Sequence, residues 1–217
     1  MTGLILKDIL VMRKTIKTYI LFLVFYFVMA AMGLFEISFV TAIVEIIVMM
    51  LPIAAFSYDE MAKWDRYAMA LPLGRRAVVG GRYLFALFMA LGAALYGLLA
   101  CVVISIGGEQ DRLMENLLTV LFSLGLGVLY CDILLPLCYK VGPERARPYM
   151  YAIIFLPIIL LFGAAQLGLF QDLDLSFLDQ MPDPLLVGFF SLTALIPLLG
   201  MVVSYLISCR IMERKEL

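Results

Sequence analysis

From Ile37 to Phe56 the chain reads ISFVTAIVEIIVMMLPIAAF, and Glu45 is the one charged residue in that stretch. A helix crosses a bilayer with about 20 predominantly apolar residues. Five other segments are of the same kind, some with a single polar interruption, at approximately 18–35, 83–106, 117–139, 149–169 and 185–208. The sequence therefore predicts an all-α membrane protein with six transmembrane helices.

The composition supports the same class. The 217-residue chain is 65% hydrophobic and 15% charged, whereas soluble domains are about 45–50% apolar and roughly 25% charged. A soluble globule could not cover so much apolar surface with so few charges. The net charge of −1 leaves no basic surface typical of nucleic-acid binding. We interpret residues 1–217 as a single transmembrane domain.

The basic residues set the orientation. All but Arg112 of the 16 fall on one side of the predicted spans. They are Lys7, Arg13, Lys14 and Lys17 before the first span, Lys63, Arg66, Arg75, Arg76 and Arg82 after the second, Lys140, Arg145 and Arg147 after the fourth, and Arg210, Arg214 and Lys215 after the sixth. The opposite side is acidic. The excess of Lys and Arg in cytoplasmic segments predicts that this side, with both termini, lies in the cytoplasm.

In the N-terminal segment, residues 1–17, apolar residues recur at the spacing of a helix. Leu4, Ile5, Ile9 and Met12 can share one face of a helix, and the charged Lys7, Asp8 and Lys14 lie elsewhere. A helix with this pattern lies flat in the membrane interface. The sequence therefore predicts an interfacial helix before the first span.

The loop 57–82 is long and carries its own helical signals. Ser57-x-x-Glu60 matches a capping box, which predicts a helix beginning at Tyr58. The pattern places Met61, Trp64, Ala68 and Leu71 on one face, and Lys63, Arg66 and Tyr67 toward another. Leu71-Pro72-Leu73-Gly74 breaks this helix, and a basic segment, Arg75–Arg82, leads into the third span. The pattern alone fits two interpretations, an amphipathic helix on anionic lipid headgroups or a docking helix for a cytoplasmic partner.

A resemblance to a known family favours docking. The run from Tyr58 to Tyr67, YDEMAKWDRY, continues through Leu71-Pro72-Leu73-Gly74-Arg75-Arg76 to Gly81-Arg82-Tyr83. This run closely resembles a signature of bacterial type-2 ABC transporter permeases. The six spans and the N-terminal Leu6-Lys7-Asp8 extend the resemblance weakly over the chain. The subfamily includes small permeases similar to the membrane subunits of phenol-soluble modulin exporters.

The resemblance implies a permease subunit in the bacterial cytoplasmic membrane. It implies an ABC ATPase dimer that holds ATP and Mg, and a second permease copy or a sister permease. It also implies that the loop 57–82 is the coupling element. The coupling residues would be Tyr58, Asp59, Glu60, Lys63, Trp64, Asp65, Arg66, Tyr67, Arg75 and Arg76. Amphipathic peptides, cytolytic or antimicrobial, are the substrates that the resemblance suggests, with lipids and hydrophobic drugs as alternatives.

Catalytic motifs are absent from the sequence. The chain contains no G-x-x-x-x-G-K-[ST], the phosphate-binding loop of P-loop ATPases. It has no histidine, which excludes His-based zinc proteases and Ser–His catalysis. Cys131 and Cys138 are seven residues apart on one helical face, but two thiols do not make a metal site. We therefore expect no catalytic, cofactor or metal site in this chain, and ATP hydrolysis in a partner subunit.

Two acids lie within the predicted spans, Glu45 and Asp132. Acids in the membrane usually face the protein interior or a wet cavity. They are either structural acids or groups that line the translocation pathway. Pro136 removes a helical hydrogen bond and frees the carbonyl of Asp132. The alternative function is a secondary transporter or channel that works without ATP and uses Glu45 and Asp132, and a membrane-embedded enzyme is a third class.

Small residues recur at four-residue spacing on the third and fourth spans. The stripes are Ala93, Gly97, Cys101 and Ser105, and Ser123, Gly127 and Cys131. Such stripes let helices approach closely. We interpret them as packing seams inside one subunit in preference to a dimer interface.

Overall fold

The computed structural model describes residues 2–64, 67–68, 74–106, 113–168 and 182–214. Within these ranges the backbone is helical and has no strand, so the predicted all-α class is confirmed. The long helices of the described ranges are α1 (Thr2–Val11), α2 (Arg13–Ala31), α3 (Ile37–Met61), α4 (Gly74–Ile106), α5 (Leu113–Val141), α6 (Pro143–Gln166) and α7 (Asp183–Arg214).

Helices α2 to α7 are each long and apolar enough to cross a membrane, which confirms the six predicted spans. Several helices run beyond the predicted apolar segments at their basic ends. Helix α4 begins at Gly74 instead of residue 83, and α7 ends at Arg214 instead of residue 208. The reason is that backbone hydrogen bonding continues where hydropathy falls, while long basic side chains extend toward the polar headgroups.

The predicted helix start at Tyr58 is wrong, because α3 runs unbroken from Ile37 to Met61. Ser57 therefore lies inside a helix, where the following N–H groups already bond to carbonyls one turn earlier and need no cap. The chain instead breaks at Lys63, whose φ of 50° is in the left-handed region. Met61, predicted on the apolar face, is exposed, Ala68 is buried, and Leu71 lies outside the described residues.

The N-terminal helix is also divided differently from the prediction. Helix α1 ends at Val11 and α2 begins at Arg13, so residues 1–17 do not form one helix. The buried positions of α1 and its end are Leu4, Asp8 and Met12, four residues apart, whereas Ile9 is exposed. Hydropathy alone could not assign Asp8 to this face, because its burial depends on ion pairs with other helices. The interfacial location of α1 stays a prediction.

Helices α3 and α5 form the centre of the bundle, and α2 and α6 lie at its periphery. The most extensive helix contact joins α5 to α7. Glycine permits this approach, because a Cβ at Gly125 would overlap the carbonyl oxygen of Thr193. A Cβ at Gly200 would lie 2.7 Å from Oδ2 of Asp132. The two helices therefore approach closely at two levels, against backbone at Gly125 and against the Asp132 side chain at Gly200.

Two of the small residues of α4, Gly97 and Cys101, pack within the subunit, as predicted. A Cβ at Gly97 would lie 2.9 Å from Cγ1 of Val120 on α5, and Cys101 is buried in the same cluster as Val120. On α5, Gly127 instead faces α3, because a Cβ at Gly127 would lie 3.6 Å from Cγ of Glu45. This contact between α3 and α5 places Glu45 in the interior of the bundle.

Candidate functional site at the basic end of the bundle

Four charged side chains from three helices meet where α1 crosses the end of α3 and the start of α4. Arg82 of α4, only 5% exposed, lies between Asp8 of α1 and Asp59 of α3. Its Nη1 is 3.0 Å from Oδ2 of Asp8, and its Nη2 donates to Oδ2 of Asp59. Lys7 joins both acids, with Nζ at 3.0 Å from Oδ1 of Asp8 and 2.7 Å from Oδ1 of Asp59. We call Lys7, Asp8, Asp59 and Arg82 the ion-pair cluster.

The ion-pair cluster is electrically balanced and has little contact with water. The guanidinium carbon of Arg82 lies 4.6 Å from the centroid of the Phe56 ring. Beside it, α1 sits directly on α4, because a Cβ at Gly81 would lie 3.0 Å from Cβ of Leu4. Removing one member of a buried, mutually compensating set leaves an unpaired charge. The cluster therefore holds α1, α3 and α4 in one fixed arrangement.

Trp64 packs on this cluster. The ammonium group of Lys7 lies 4.2 Å from the centroid of the Trp64 ring, a cation–π distance. The turn before Trp64 is closed by hydrogen bonds from the N–H groups of Ala62 and Lys63 to the carbonyls of Tyr58 and Glu60. The left-handed Lys63 then redirects the chain. Trp64 thus extends the anchor that the ion-pair cluster provides.

Other residues of this segment point outward. Glu60 and Lys63 are exposed, Tyr67 is 66% exposed and Tyr58 is 38% exposed. The Tyr58 hydroxyl lies 3.1 Å from the Thr15 hydroxyl, also near the surface. These side chains form a mixed aromatic and charged surface beside the anchored Asp59.

Arg75 and Arg76 bind the C-terminal end of α7. Arg75 donates to the carbonyls of Met212 and Glu213, at 3.2 and 2.6 Å. Arg76 Nε donates to Oε1 of Glu213 at 2.8 Å. Carbonyls in the last turn of a helix lack partners within the helix, and cations are favourable there. The two arginines therefore connect the start of α4 to the end of α7.

Glu45 lies in the interior of the bundle. It lines a small cavity between α3, α4 and α5, together with Thr41, Gly97 and Ser123. The cavity volume is about 20 Å³, which is enough for about one water molecule. Apart from Glu45, the polar side chains that line the cavity are Thr41 and Ser123, and the rest of the lining is apolar.

Asp132 belongs to a different interface, between α5 and α7. Its carbonyl, freed by Pro136 as predicted, accepts a hydrogen bond of 2.6 Å from Ser204. Ser204 and Ser208 both lie within hydrogen-bond distance of the Tyr83 hydroxyl, at 2.6 and 2.8 Å. The carboxylate Oδ1 is buried with no hydrogen-bond partner in the described part of the chain. Asp132 therefore sits at one end of a buried polar network that links α4, α5 and α7.

Comparison with protein families adds the decisive observation. Residues 3–213 match the family described as ABC-2 family transporter protein. The chain belongs to the ABC-2 transporter family. Comparisons with curated proteins and with solved structures gave no match. The predicted resemblance to type-2 ABC permeases is confirmed, and the narrower likeness to phenol-soluble modulin exporters stays a prediction.

Membership in the ABC-2 family makes this chain a multi-pass membrane protein and a permease subunit of an ABC transporter. ABC-2 permeases typically work with an ATPase subunit. Six of the ten predicted coupling residues of this ABC-2 permease fall into two groups. Asp59 and Trp64 form the anchor, while Tyr58, Glu60, Lys63 and Tyr67 form the outward surface.

The other four predicted coupling residues are Arg75, Arg76, Asp65 and Arg66. Arg75 and Arg76 contact α7, and Asp65 and Arg66 lie outside the described residues. The two acids predicted along the pathway are not brought together. Glu45 faces α4 and α5, whereas Asp132 faces α7.

Sequence reasoning missed three members of the ion-pair cluster as site residues: Lys7, Asp8 and Arg82. The sequence did indicate that Asp8 could be buried. It lies four residues after Leu4 and four before Met12, so the three residues share one face of a helix. An acid at a buried position requires a cation nearby. Arg82, at the edge of a long apolar segment, was a candidate for that cation.

Proposed function

We propose that this chain forms the membrane pathway of an ATP-driven exporter in the bacterial cytoplasmic membrane, with both termini in the cytoplasm. In this proposal the segment 57–82 contacts a separate ATPase dimer. The observation that carries it is the position of Tyr58, Glu60 and Lys63 on the exposed side of a helix end whose other side is held by Asp59 in the ion-pair cluster. Because the ion-pair cluster fixes this helix end, a force applied to the exposed side chains would move the helices and would not simply displace a loop.

Movement would pass from this surface into the membrane through continuous helices. Helices α3 and α4 both lead from the ion-pair cluster across the predicted bilayer. ATP-driven closure of the ATPase dimer would tilt this pair, together with α1 and the end of α7 that Arg75 binds. Rigid-body rocking of this kind is an established route between two states. Six spans would form half of the pathway, so a second copy or a sister permease would complete it.

The chemistry of the cycle belongs to the partner in this proposal. ATP and Mg would bind the ATPase subunits, and this chain would hydrolyse nothing. Amphipathic peptides, including cytolytic or antimicrobial ones, are the proposed substrates, on the resemblance of residues 58–83 to small permeases of peptide exporters. Lipids and hydrophobic drugs are the other classes to assay.

The alternative of an ATP-independent transporter or channel receives less support from the geometry. A proton or ion relay between Glu45 and Asp132 would need a shared wet cavity. The cavity at Glu45 is not lined by Asp132. Flux driven by a proton gradient in liposomes that contain only this chain would nevertheless favour the alternative.

Coupling is tested by co-purification with a candidate ABC ATPase subunit, the partner that the proposal requires. A variant carrying Lys63→Glu, Asp65→Lys and Arg66→Glu should lose the ATPase, because the charge of the docking surface is reversed. Arg13→Glu is the matched control, since Arg13 is exposed but lies outside the segment. Retention of the ATPase by the triple variant would defeat the docking proposal.

A further inference from the structure

Three hydroxyl groups between α4, α5 and α7 form a hydrogen-bonded chain with a single direction. Ser204 donates to the backbone carbonyl of Asp132 at 2.6 Å. The Tyr83 hydroxyl lies 2.6 Å from that of Ser204 and 2.8 Å from that of Ser208. Each hydroxyl carries one proton, and that of Ser204 is given to the carbonyl, so Tyr83 donates to Ser204 and Ser208 donates to Tyr83. We call this series, from Ser208 to the carbonyl of Asp132, the hydroxyl chain.

The hydroxyl chain is enclosed by protein. Tyr83, Ser204 and Ser208 are 6%, 5% and 0% exposed. Hydrogen bonds in such surroundings polarise one another. A buried polar group that loses its partner there is strongly unfavourable, because water does not replace the lost bond. The position of each hydroxyl group therefore depends on that of the next.

The hydroxyl chain ends at a weak point of α5. Pro136 has no N–H, so the carbonyl of Asp132 lacks its helical donor, and helices bend at such positions. A comparable carbonyl in α6, that of Ile153 before Pro157, receives the Tyr130 hydroxyl at 3.4 Å, which is longer than an ordinary O–H···O bond. Of these two proline positions, only the one in α5 is held by a short bond from another helix.

The middle of the hydroxyl chain is attached to the basic end of the bundle. Tyr83 follows Arg82, the central member of the ion-pair cluster, on the same helix. The regular backbone of a helix keeps consecutive residues in a fixed relation. A shift of α4 that displaces Arg82 therefore displaces Tyr83, and with it the hydroxyl group to which Tyr83 donates, that of Ser204.

We propose that Tyr83 and Ser204 are transmission residues, which make the bend of α5 at Pro136 depend on the position of α4. With the hydroxyl chain intact, as in this structure, Ser204 holds the carbonyl of Asp132 and α5 is fixed. When α4 shifts, Ser204 leaves that carbonyl and α5 is free to bend. The part that this plays in transport rests on the proposed function, whereas the hydroxyl chain and its hold on α5 do not.

A double-mutant cycle in detergent tests the hold on α5. Ser204→Ala should lower the thermal midpoint by roughly 5 °C. The effect should be smaller in a Pro136→Ala background, because the N–H gained there satisfies the carbonyl of Asp132. Pro157→Ala is the matched control, since the carbonyl before Pro157 does not receive Ser204, and the full effect should persist. Equal effects of Ser204→Ala in the two proline variants would overturn the proposal.

The carbonyl of Asp132 can also be observed directly by NMR. Aspartate precedes isoleucine at two places in the chain, Asp8–Ile9 and Asp132–Ile133. Labelling aspartate with ¹³C at the backbone carbonyl and isoleucine with ¹⁵N therefore selects these two peptide bonds alone. Ile9→Val, at an exposed position, removes one of the two signals and so assigns both.

The direction of the hydroxyl chain predicts how the Asp132 signal responds. Ser204→Ala should shift it strongly, and Tyr83→Phe should shift it in the same direction by less, because Tyr83 acts on the carbonyl through Ser204. Ser191→Ala, which removes an exposed bond within α7, should not shift it. An Asp132 signal that is indifferent to Tyr83→Phe would overturn the proposal.

The part in transport is tested with the ATPase present. Tyr83→Phe should still co-purify with the ATPase, because Tyr83 is buried and lies outside the docking surface, yet it should export less substrate for each ATP hydrolysed. Tyr149→Phe, at an exposed position, is the control and should export normally. Wild-type export by Tyr83→Phe would overturn the transmission role. Failure of the wild-type chain to bind any ATPase would instead defeat the proposed function, and the two tests in detergent would still decide the hold on α5.

Discussion

Replacing Arg82 with alanine should strongly destabilise the basic end of the protein. The substitution leaves the carboxylates of Asp8 and Asp59, with side chains 6% and 13% exposed, opposite the single charge of Lys7. Breaking a buried ion pair by removing one partner costs about 3–5 kcal/mol. For a protein of this length each kcal/mol corresponds to roughly 2–4 °C. The thermal midpoint in detergent should therefore fall by on the order of 10 °C.

The chain offers a matched control on the same helix. Arg76 also pairs with a carboxylate, Glu213 at 2.8 Å, but the two side chains are 75% and 43% exposed. Arg76→Ala should leave the thermal midpoint nearly unchanged, because exposed ion pairs contribute little. Tryptophan fluorescence of Trp64, the single tryptophan, reports the same region. Equal midpoints for Arg82→Ala and Arg76→Ala would refute the view that burial makes the cluster a structural anchor.

Three further predictions follow from helix contacts within the membrane. Gly125→Ala should destabilise the protein by about 1–3 kcal/mol, because the added Cβ would overlap the backbone carbonyl of Thr193, whereas Gly188→Ala, with open space around it, should leave the thermal midpoint unchanged. Ser204→Ala should destabilise the protein by about 1–3 kcal/mol, because it leaves buried polar partners unsatisfied, while Ser191→Ala removes only an exposed bond to its own helix. Glu45→Gln and Asp132→Asn should impair export in a vesicle transport assay and spare assembly, and wild-type export by both would show that these acids are structural.

The six membrane-spanning helices could be predicted from the sequence, because one physical rule determines them. A chain in lipid must satisfy every backbone group internally, so a run of apolar residues such as 37–56 becomes a helix. The small-residue seam at Gly97 followed from the same kind of reasoning, since helices in lipid pack closely only where side chains are short. The freed carbonyl at Asp132 was predicted from Pro136 alone, and the structure supplies its partner, Ser204.

The basic end was harder to predict, because its structure depends on contacts between distant segments. Local rules predicted a new helix at Tyr58, yet α3 simply continues through Ser57. Local rules also predicted that Asp8 lies away from the apolar face of the N-terminal helix, yet Asp8 is buried and pairs with Arg82, more than 70 positions away in the sequence. A pattern within one helix cannot reveal which other helix supplies the compensating charge. Such contacts need either a structure or pairs of residues that vary together.

The central claim, that segment 57–82 meets an ATPase in the cytoplasm, is tested most directly by cysteine cross-linking in cells. Lys63→Cys is introduced into a variant whose Cys101, Cys131, Cys138 and Cys209 are replaced by serine or alanine, and Glu36→Cys serves as the control at the opposite end. The account predicts that Lys63→Cys cross-links to the ATPase subunit and resists a membrane-impermeant maleimide added outside, while Glu36→Cys reacts with that maleimide. Labelling of Lys63→Cys from outside, or its failure to reach any ATPase, would contradict the account.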